Sequence, residues 1–188
     1  MFYFYGKIVP LKTVLTQQQI SLTIKRLANQ LLENHLDFKN TVLIGIQPRG
    51  IALSDRVVGE LRKESLPGLL YGKLDITFYR DDLRKGIHVP NYTEIPFSIE
   101  GKNVVLLDDV LYTGRTIRAA LDALMDFGRP NKVELLVLID RRYSRQLPIQ
   151  PDYVGKSIDS IISQRVKVIW KEKEGRDEVI LLDDNSDT

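Results

Sequence analysis

The chain has 188 residues, of which 43% are hydrophobic and 28% charged, and this composition fits one globular domain, spanning 1–188, with a substantial core. It contains no cysteine, which excludes disulfides, cysteine-based metal sites and cysteine nucleophiles, and it has no apolar run of about 18 residues, so we predict no membrane span and expect a cytoplasmic protein. The net charge of +2 is too small to indicate nucleic-acid binding by itself.

The first predicted elements are a helix and a buried strand. Thr16 is placed to cap a helix, and the apolar residues after it recur at helical spacing. The face they form is Ile20, Ile24, Leu27, Ala28 and Leu31. The apolar run Thr41–Ile46 predicts a buried strand that ends in a turn carrying Arg49 and Gly50, followed by a second helix. This arginine and glycine are candidates for a site that binds an anion such as pyrophosphate, although a surface arginine is more often merely solvated.

The segment after the next predicted strand, Leu69–Thr77, has no periodicity. Residues 78–98 are rich in charge and contain two prolines. A structureless stretch of about 20 residues in a compact domain is usually functional or disordered. We therefore expect a flexible loop that closes over a site, with a solvated linker as the alternative.

The most informative stretch is Val104–Thr116, with the sequence VVLLDDVLYTGRT. Its apolar beginning predicts a buried strand, Asp108 and Asp109 stand where that strand should end, and a helix begins after Thr116. The loop of small residues at the start of the helix offers free backbone N–H groups to a phosphate. The acid pair suits sugar hydroxyls or a hydrated Mg²⁺. Together they indicate a site for a phosphorylated sugar.

The remaining elements complete an alternation of strands and helices. Lys132–Ile139 is a predicted strand that ends in Asp140-Arg141-Arg142, and Val166–Trp170 and Val179–Leu182 are late strand candidates. The acidic tail, about 183–188, is predicted to be disordered. The alternation favours an α/β fold with a parallel sheet, whose carboxyl edge gathers the loops that bind ligands.

The stretch Val104–Thr116 resembles the phosphoribosyl pyrophosphate (PRPP) motif of type I phosphoribosyltransferases: an apolar run, two acids, then T-G-x-T. With the segments TFYRDDL, IGIQPRGIALS and LPIQPDYVGK, the chain resembles the PyrR family from about Thr16 to Trp170. Members of that family are bifunctional pyrimidine-operon regulators with uracil phosphoribosyltransferase activity. The resemblance implies a five-stranded parallel core sheet flanked by helices, a small hood built from terminal segments, and a homo-oligomer made of dimers.

The resemblance also implies roles for individual residues. Asp108, Asp109 and Arg49 are expected to carry catalysis, and the two acids to hold Mg²⁺, directly or through water. Arg141 and the backbone of Val154 are expected to bind uracil. The residues expected to bind PRPP are Arg49, Gly50, Arg80, Asp108, Asp109, Val110, Leu111, Tyr112, Thr113, Gly114, Arg115 and Thr116.

Tyr112 bears on the choice of base. Purine phosphoribosyltransferases of the hypoxanthine type carry an acid at this place in the motif, which accepts a proton from the purine. A phenol is a poor base near neutral pH, so we favour uracil as the substrate and keep a purine phosphoribosyltransferase as the alternative.

The resemblance further implies that UMP or UTP promotes binding to the leader mRNA of a pyrimidine operon, which causes transcription attenuation. A regulator with weak or vestigial transferase activity is a second alternative. Cations for the RNA phosphates are expected among five basic residues. They are Lys25, Arg26, Arg142, Arg145 and Lys156.

Overall fold

The structure is a computed structural model that describes residues 12–64, 66, 68–81, 90–160 and 164–183, and every statement below refers to those residues. Its helices are α1 (Gln17–His35), α2 (Ile51–Leu61), α3 (Arg115–Leu124) and α4 (Lys171–Glu174). Its strands are β1 (Lys12–Leu15), β2 (Thr41–Ile46), β3 (Leu70–Leu74), β4 (Asn103–Leu111), β5 (Lys132–Arg142), β6 (Tyr153–Asp159), β7 (Gln164–Ile169) and β8 (Glu178–Asp183).

Five of these strands form one parallel sheet in the order β3-β2-β4-β5-β6. Every residue of β2 is buried, because helices cover both faces of the sheet. Successive residues of β2 and β4 point to opposite faces: Leu43 and Val105 pack with α1 and α2, whereas Ile44 and Leu106 pack with α3. The expected five-stranded core sheet flanked by helices is therefore confirmed.

The ends of the chain form a second sheet of three antiparallel strands, in the order β1-β8-β7. Val166, Trp170 and Val179 join the hydrophobic core formed by α1 and α2, so this sheet is packed against the larger one. We call the three-stranded sheet together with α4 the hood.

Helix α1 begins as predicted. The side chain of Thr16 accepts a hydrogen bond from the backbone N–H of Gln19, whose own side chain accepts from the backbone N–H of Thr16, which is a capping box. All five residues of the predicted apolar face are buried. No helix in the described ranges is long and apolar enough to cross a membrane.

Several strand limits differ from those predicted. β4 continues through the acid pair to Leu111, and β5 continues to Arg142, because the ladder between them extends to the pairing of Leu111 with Asp140. β3 ends at Leu74, three residues early, since the chain turns into a short 3-10 turn at Thr77. β6 was not predicted: it is an edge strand of mixed polarity, so it lacks the apolar run of a central strand.

Candidate active site

A cavity of about 710 Å³ opens at the carboxyl edge of the parallel sheet, against the hood. The loop after β2 and the end of β4 both reach it, because β2 and β4 are neighbours in the sheet. Its walls include most of the residues predicted from the sequence. These are Arg49, Arg80, Asp108, Asp109, Val110, Leu111, Tyr112, Thr113, Gly114, Arg115, Thr116 and Arg141.

Gly50 does not line the cavity but lets the loop that carries Arg49 lie against β4. A Cβ atom on Gly50 would be 2.5 Å from the carbonyl oxygen of Leu107 and 2.7 Å from that of Ile46. Both contacts are with backbone, which cannot move aside as a flexible side chain can. Gly50 therefore positions Arg49 by permitting close approach. The peptide bond between Gln47 and Pro48, in the same loop, is cis.

The loop before α3 is shaped to present backbone N–H groups. Gly114 has a φ of 92°, in the left-handed region, and precedes the first turn of α3. The carbonyl oxygen of Thr113 accepts hydrogen bonds from the backbone N–H groups of Gln146 and Leu147 at 3.0 and 3.2 Å. These bonds fix the loop, and the N–H groups of the first turn of α3 lie at the cavity, where an anion would satisfy them.

The two acids of β4 are both buried, with 5% of Asp108 and 7% of Asp109 exposed. The backbone N–H of Asp109 donates to the carboxylate of Asp108 at 2.9 Å. Burial, and then the charge of Asp109, raises the pKa of Asp108 well above its ordinary value. Burial likewise raises the pKa of Asp109, against the opposing charge of Arg49. Ionising both carboxyl groups therefore costs free energy in the ligand-free protein. A bound cation, or ligand hydroxyls that donate to the carboxylates, would offset this cost.

The acid pair is also the candidate metal centre. No group of three or more His, Cys, Asp or Glu side chains able to hold a metal ion occurs in the described ranges. Mg²⁺ is commonly bound by one or two carboxylates together with substrate phosphates and water. Two adjacent buried carboxylates beside the loop before α3, which presents backbone N–H groups to the cavity, fit that pattern.

Arg141 and Tyr112 form a stacked pair in the wall of the cavity. The guanidinium carbon of Arg141 is 3.8 Å from the centroid of the Tyr112 ring. Arg141 is only 4% exposed, and it donates to the hydroxyl of Ser160 at 2.9 Å and to the carbonyl oxygen of Gln164 at 2.8 Å. It therefore ties the end of β5 to β7 of the hood and holds the Tyr112 ring in place.

Val154, whose backbone the resemblance implied would bind uracil, is not among the residues that line this cavity, and its role in binding uracil stays a prediction. It lies near the start of β6, whereas the carboxyl end of that strand brings Ile158 opposite Arg141. The carbonyl oxygen of Val154 accepts a hydrogen bond from Arg26 at 3.1 Å.

The sequence analysis did not predict one wall of the cavity, which is held together by the hydrogen bonds of Asp75. The carboxylate of Asp75 accepts hydrogen bonds from the backbone N–H groups of Thr77 at 2.9 Å and Asn91 at 3.1 Å. Gln47 donates to the carbonyl oxygen of Tyr92 at 2.7 Å, which joins the same segment to the loop of Arg49. Gln47, Thr77 and Asn91 line the cavity, as do the hood residues Gln164, Arg165 and Val166. No sequence pattern links these segments, since their contacts exist only in the folded chain.

The expected flexible loop, residues 78–98, is described only at its two ends, and residues 82–89 lie outside the described residues. At the first end, Asp81 forms ion pairs with Arg115 at 3.2 Å and Arg118 at 3.1 Å. At the other end, Glu94 pairs with Lys73 as an isolated antiparallel bridge. Of the predicted acidic tail, Asp183 belongs to β8, and residues 184–188 lie outside the described residues.

The five basic residues proposed for RNA differ in their surroundings. Arg145 forms an ion pair with Asp140 and donates to the carbonyl oxygens of Leu111, Tyr112, Arg141 and Ile149, so its guanidinium has a structural role beside the cavity.

The other four lie nearer the surface. Lys156 donates to the carbonyl oxygen of Val14 at 3.0 Å, and Arg142 pairs with Asp159 at 2.8 Å. Arg26 is bound to β6, and Lys25 is exposed.

Known proteins resemble this chain over most of its length. The model of the phosphoribosyl transferase domain family matches residues 10–173. The chain is 44% identical over 178 residues to the "Bifunctional protein PyrR" of Elusimicrobium minutum, covering 94% of this chain and 99% of that one. It is 46% identical over 172 residues to the protein of that name from a Picosynechococcus species, covering 90% and 96%.

Solved structures of hypoxanthine phosphoribosyltransferases have a similar fold. The enzyme of Staphylococcus aureus gives a TM-score of 0.70 at 22% identity, over 98% of this chain and 99% of that one. A mutant of the Trypanosoma cruzi enzyme, in a ternary substrates complex, gives 0.72 at 20% identity, over 92% and 95%. At this level of identity the likeness shows the fold, which is that of type I phosphoribosyltransferases, and not the substrate.

Proposed function

Because the chain belongs to the PyrR family of phosphoribosyl transferase domain proteins, we propose that it is an enzyme that transfers the phosphoribosyl group of PRPP to uracil, forming UMP and pyrophosphate. The observation that carries this proposal is the cavity that brings together the acid pair, the Thr113–Thr116 loop and Arg49. PRPP carries hydroxyls, a 5′-phosphate and a diphosphate, and each of these has a matching group on the cavity wall.

The loop Thr113–Thr116 holds the 5′-phosphate. The N–H groups at the start of α3 and the hydroxyls of Thr113 and Thr116 donate to its oxygens. Asp108 and Asp109 take the ribose hydroxyls, directly or through Mg²⁺ and its water. When bound, Mg²⁺ neutralises the charge that develops on the leaving pyrophosphate. Arg49 and Arg80 supply further positive charge on that side.

The base lies beside the stacked pair of Arg141 and Tyr112, in the part of the cavity that Val110 and Val166 make apolar. Tyr112 places a phenol where an acid would offer a carboxylate. A purine therefore lacks the proton acceptor that this carboxylate would provide, whereas uracil does not need it. The guanidinium of Arg141 stacks on the Tyr112 ring, so the position of the ring is fixed before the base binds.

In the reaction, a ring nitrogen of uracil attacks the anomeric carbon of PRPP. The new C–N bond forms as the C–O bond to pyrophosphate breaks, the electron pair of the broken bond leaves with pyrophosphate, and the proton of the nitrogen is released to solvent. The transition state resembles an oxocarbenium ion, so catalysis comes from holding the two reactants in line and from stabilising the leaving group. No covalent enzyme intermediate is needed.

The purified protein should form UMP when it is incubated with PRPP, Mg²⁺ and uracil. Hypoxanthine and guanine, offered in separate reactions, should give much less nucleotide. Activity on either purine with none on uracil would overturn the choice of substrate, and failure with all three bases would overturn the assignment as a working transferase.

We also propose a regulatory function, UMP-dependent binding to the leader mRNA of a pyrimidine operon, which membership of the PyrR family supports. The supporting cations are the four exposed ones, Lys25, Arg26, Arg142 and Lys156, whereas Arg145 is engaged beside the cavity. A leader RNA retained on a filter only in the presence of UMP, with affinity that falls as salt rises, would support this function. No binding at low salt with UMP present would remove it. The homo-oligomer, the cytoplasmic location and the single domain over 1–188 remain part of the proposal.

A further inference from the structure

The two segments that flank residues 82–89 are joined by a short ladder of hydrogen bonds that leads up to the cavity. At its base, the backbones of Lys73 and Glu94 exchange two hydrogen bonds of 2.8 Å. One step higher, the backbone N–H of Asp75 donates to the hydroxyl of Thr93 at 3.0 Å. Since Lys73 belongs to β3, the ladder ties the second of these segments to the parallel sheet.

The carboxylate of Asp75 stands at the top of this ladder and binds both segments. Its Oδ1 accepts from the backbone N–H of Thr77 at 2.9 Å, and its Oδ2 accepts from the backbone N–H and the side-chain amide of Asn91, both at 3.1 Å. Burial by itself would raise the pKa of this carboxyl, but the hydrogen bonds from Thr77 and Asn91 outweigh burial and hold the pKa below its ordinary value. Asp75 is therefore an ionised acceptor that is only 8% exposed, and it is not among the residues that line the cavity.

The hydrogen bond from Thr77 to Asp75 fixes the start of the turn that leads to Arg80. Thr77 is the first residue of a single 3-10 turn, whose last residue, Tyr79, donates from its backbone N–H to the carbonyl oxygen of Ile76 at 3.0 Å. Arg80 follows this turn directly and lines the cavity. The position of the Arg80 backbone is therefore set by a turn that the carboxylate holds at its first N–H.

The partners of this carboxylate are also anchored to the end of β2. Gln47 donates from its backbone N–H to the carbonyl oxygen of Leu74 at 2.9 Å and from its side chain to that of Tyr92 at 2.7 Å. Leu74 directly precedes Asp75, and Tyr92 directly follows Asn91. The carboxylate therefore places the turn relative to the sheet that carries the acid pair.

We propose that Asp75 is a positioning residue that acts through Arg80: it sets where that guanidinium lies relative to the acid pair, and so the affinity of the site for a diphosphate. On the basis of the proposed function, that diphosphate is the one carried by PRPP. Burial and then the charge of Asp109 raise the pKa of Asp108, whereas the charge of Arg80 lowers it, so Arg80 is within electrostatic reach of the pair.

The position requires a carboxylate rather than an amide. The two oxygens of Asp75 accept three hydrogen bonds, from one backbone N–H on one side and from both donors of Asn91 on the other. An asparagine has a single acceptor oxygen, and its NH₂ group would face a donor on one of the two sides. Asp75→Asn is therefore nearly the same size as the native side chain but cannot hold both segments.

The test is calorimetric titration of the full-length protein with inorganic pyrophosphate, in the presence of Mg²⁺ and at fixed ionic strength. Asp75→Asn should weaken pyrophosphate binding about tenfold, since a charge-assisted contact is misplaced. It should leave the affinity for UMP, which has no diphosphate, unchanged. Asp152→Asn is the matched control and should change neither affinity: Asp152 also accepts from a backbone N–H, that of Leu135 at 2.8 Å, but it precedes β6 and does not line the cavity.

A double variant shows whether Asp75 acts through Arg80. Arg80→Gln alone should weaken pyrophosphate binding, and Asp75→Asn added to it should weaken binding by no more than about twofold further, because the contact is already lost. Asn91→Ala removes only one of the three hydrogen bonds and should weaken pyrophosphate binding by about threefold. It replaces Asp75→Asn in both titrations if that variant does not fold.

Three results would overturn the positioning role. They are unchanged pyrophosphate affinity in Asp75→Asn or its replacement, an undiminished further loss when the change is added to Arg80→Gln, and an equal loss of affinity for UMP. None of them bears on uracil transfer by the wild-type protein. Absence of that transfer would instead overturn the proposed function, while the pyrophosphate titrations would still test the role of Asp75.

Discussion

At the scale of single residues, Asp108 and Asp109 lower the stability of the ligand-free protein when they are ionised, and they are also the residues proposed to bind the ribose hydroxyls and Mg²⁺. Both are buried in a strand, and burial raises the pKa of each. A carboxyl whose pKa is higher in the folded than in the unfolded chain contributes most to stability below the unfolded value, and that contribution is lost as the pH rises through the folded value. The protein without ligand should therefore lose stability as the pH rises from about 4 towards neutrality through these two groups.

Asp109→Asn should raise the stability of the protein while lowering its activity. Removal of a buried charge should raise the melting temperature of the ligand-free protein at pH 8, by about 2–4 °C for each 1 kcal/mol regained, and raise it less at pH 4. The same change should lower kcat for UMP formation by about 10²-fold or more. Calorimetric melting at the two pH values and initial rates measure the two effects.

Asp37→Asn provides the control for this experiment. Asp37 is an exposed carboxyl whose pKa is lowered by its hydrogen bonds with Lys39, so its ionised form is favoured in the folded chain. Its replacement should leave kcat unchanged and should not raise the melting temperature. If Asp109→Asn melted below the wild-type protein at pH 8, the account of the acid pair as a costly binding site would be wrong.

The stacked pair of Tyr112 and Arg141 gives a second prediction. Tyr112→Phe keeps a ring under the guanidinium and should retain UMP formation to within about threefold, while Tyr112→Ala should lower kcat/KM for uracil about tenfold or more, because a desolvated cation–π contact is worth about 2 kcal/mol. Tyr143→Ala is a matched control, since Tyr143 is exposed and the guanidinium carbon of the neighbouring Arg142 is 5.8 Å from the centroid of its ring. Equal losses in the alanine variants would contradict a special role for Tyr112.

At the scale of elements, the loop between β2 and α2 depends on Gly50. Gly50→Ala would push a methyl group against the backbone of Ile46 and Leu107, which should lower stability and raise KM for PRPP by displacing Arg49. Gly59→Ala is the control: it lies inside α2 with no atom within 4 Å of the added group, so it should raise the free energy of unfolding by about 0.5–1 kcal/mol. Urea unfolding and PRPP saturation curves measure both. A Gly50→Ala variant with wild-type stability and KM would refute the close-approach argument.

The elements that the sequence predicted well are those whose environment is uniform. β2 is apolar and buried along its whole length, and the strand, acid pair, loop and helix of Val104–Thr116 are contiguous, so residue order alone placed them. The edge strand β6 was not predicted, because its residues are of mixed polarity and form no apolar run. The hood side of the site, formed by Gln164, Arg165 and Val166, and the wall organised by Asp75 depend on contacts between distant segments, which residue order does not reveal.

At the scale of the whole molecule, the site is a junction of two sheets. The parallel sheet supplies the acid pair and the loop before α3, while the hood closes one side with β7 and α4. Arg141 of β5 and Arg56 of α2 each bind the hood, through Gln164 and Asp177 respectively. We propose that this one cavity holds a sugar phosphate, a diphosphate and a base.

A competition among bases tests the central claim most directly. The protein is given PRPP and Mg²⁺ with equal concentrations of uracil, hypoxanthine and guanine, and the nucleotides formed are identified by mass. The account predicts that UMP is the dominant product and that one pyrophosphate is released for each UMP. Dominant formation of a purine nucleotide, or release of pyrophosphate with no nucleotide formed, would contradict it.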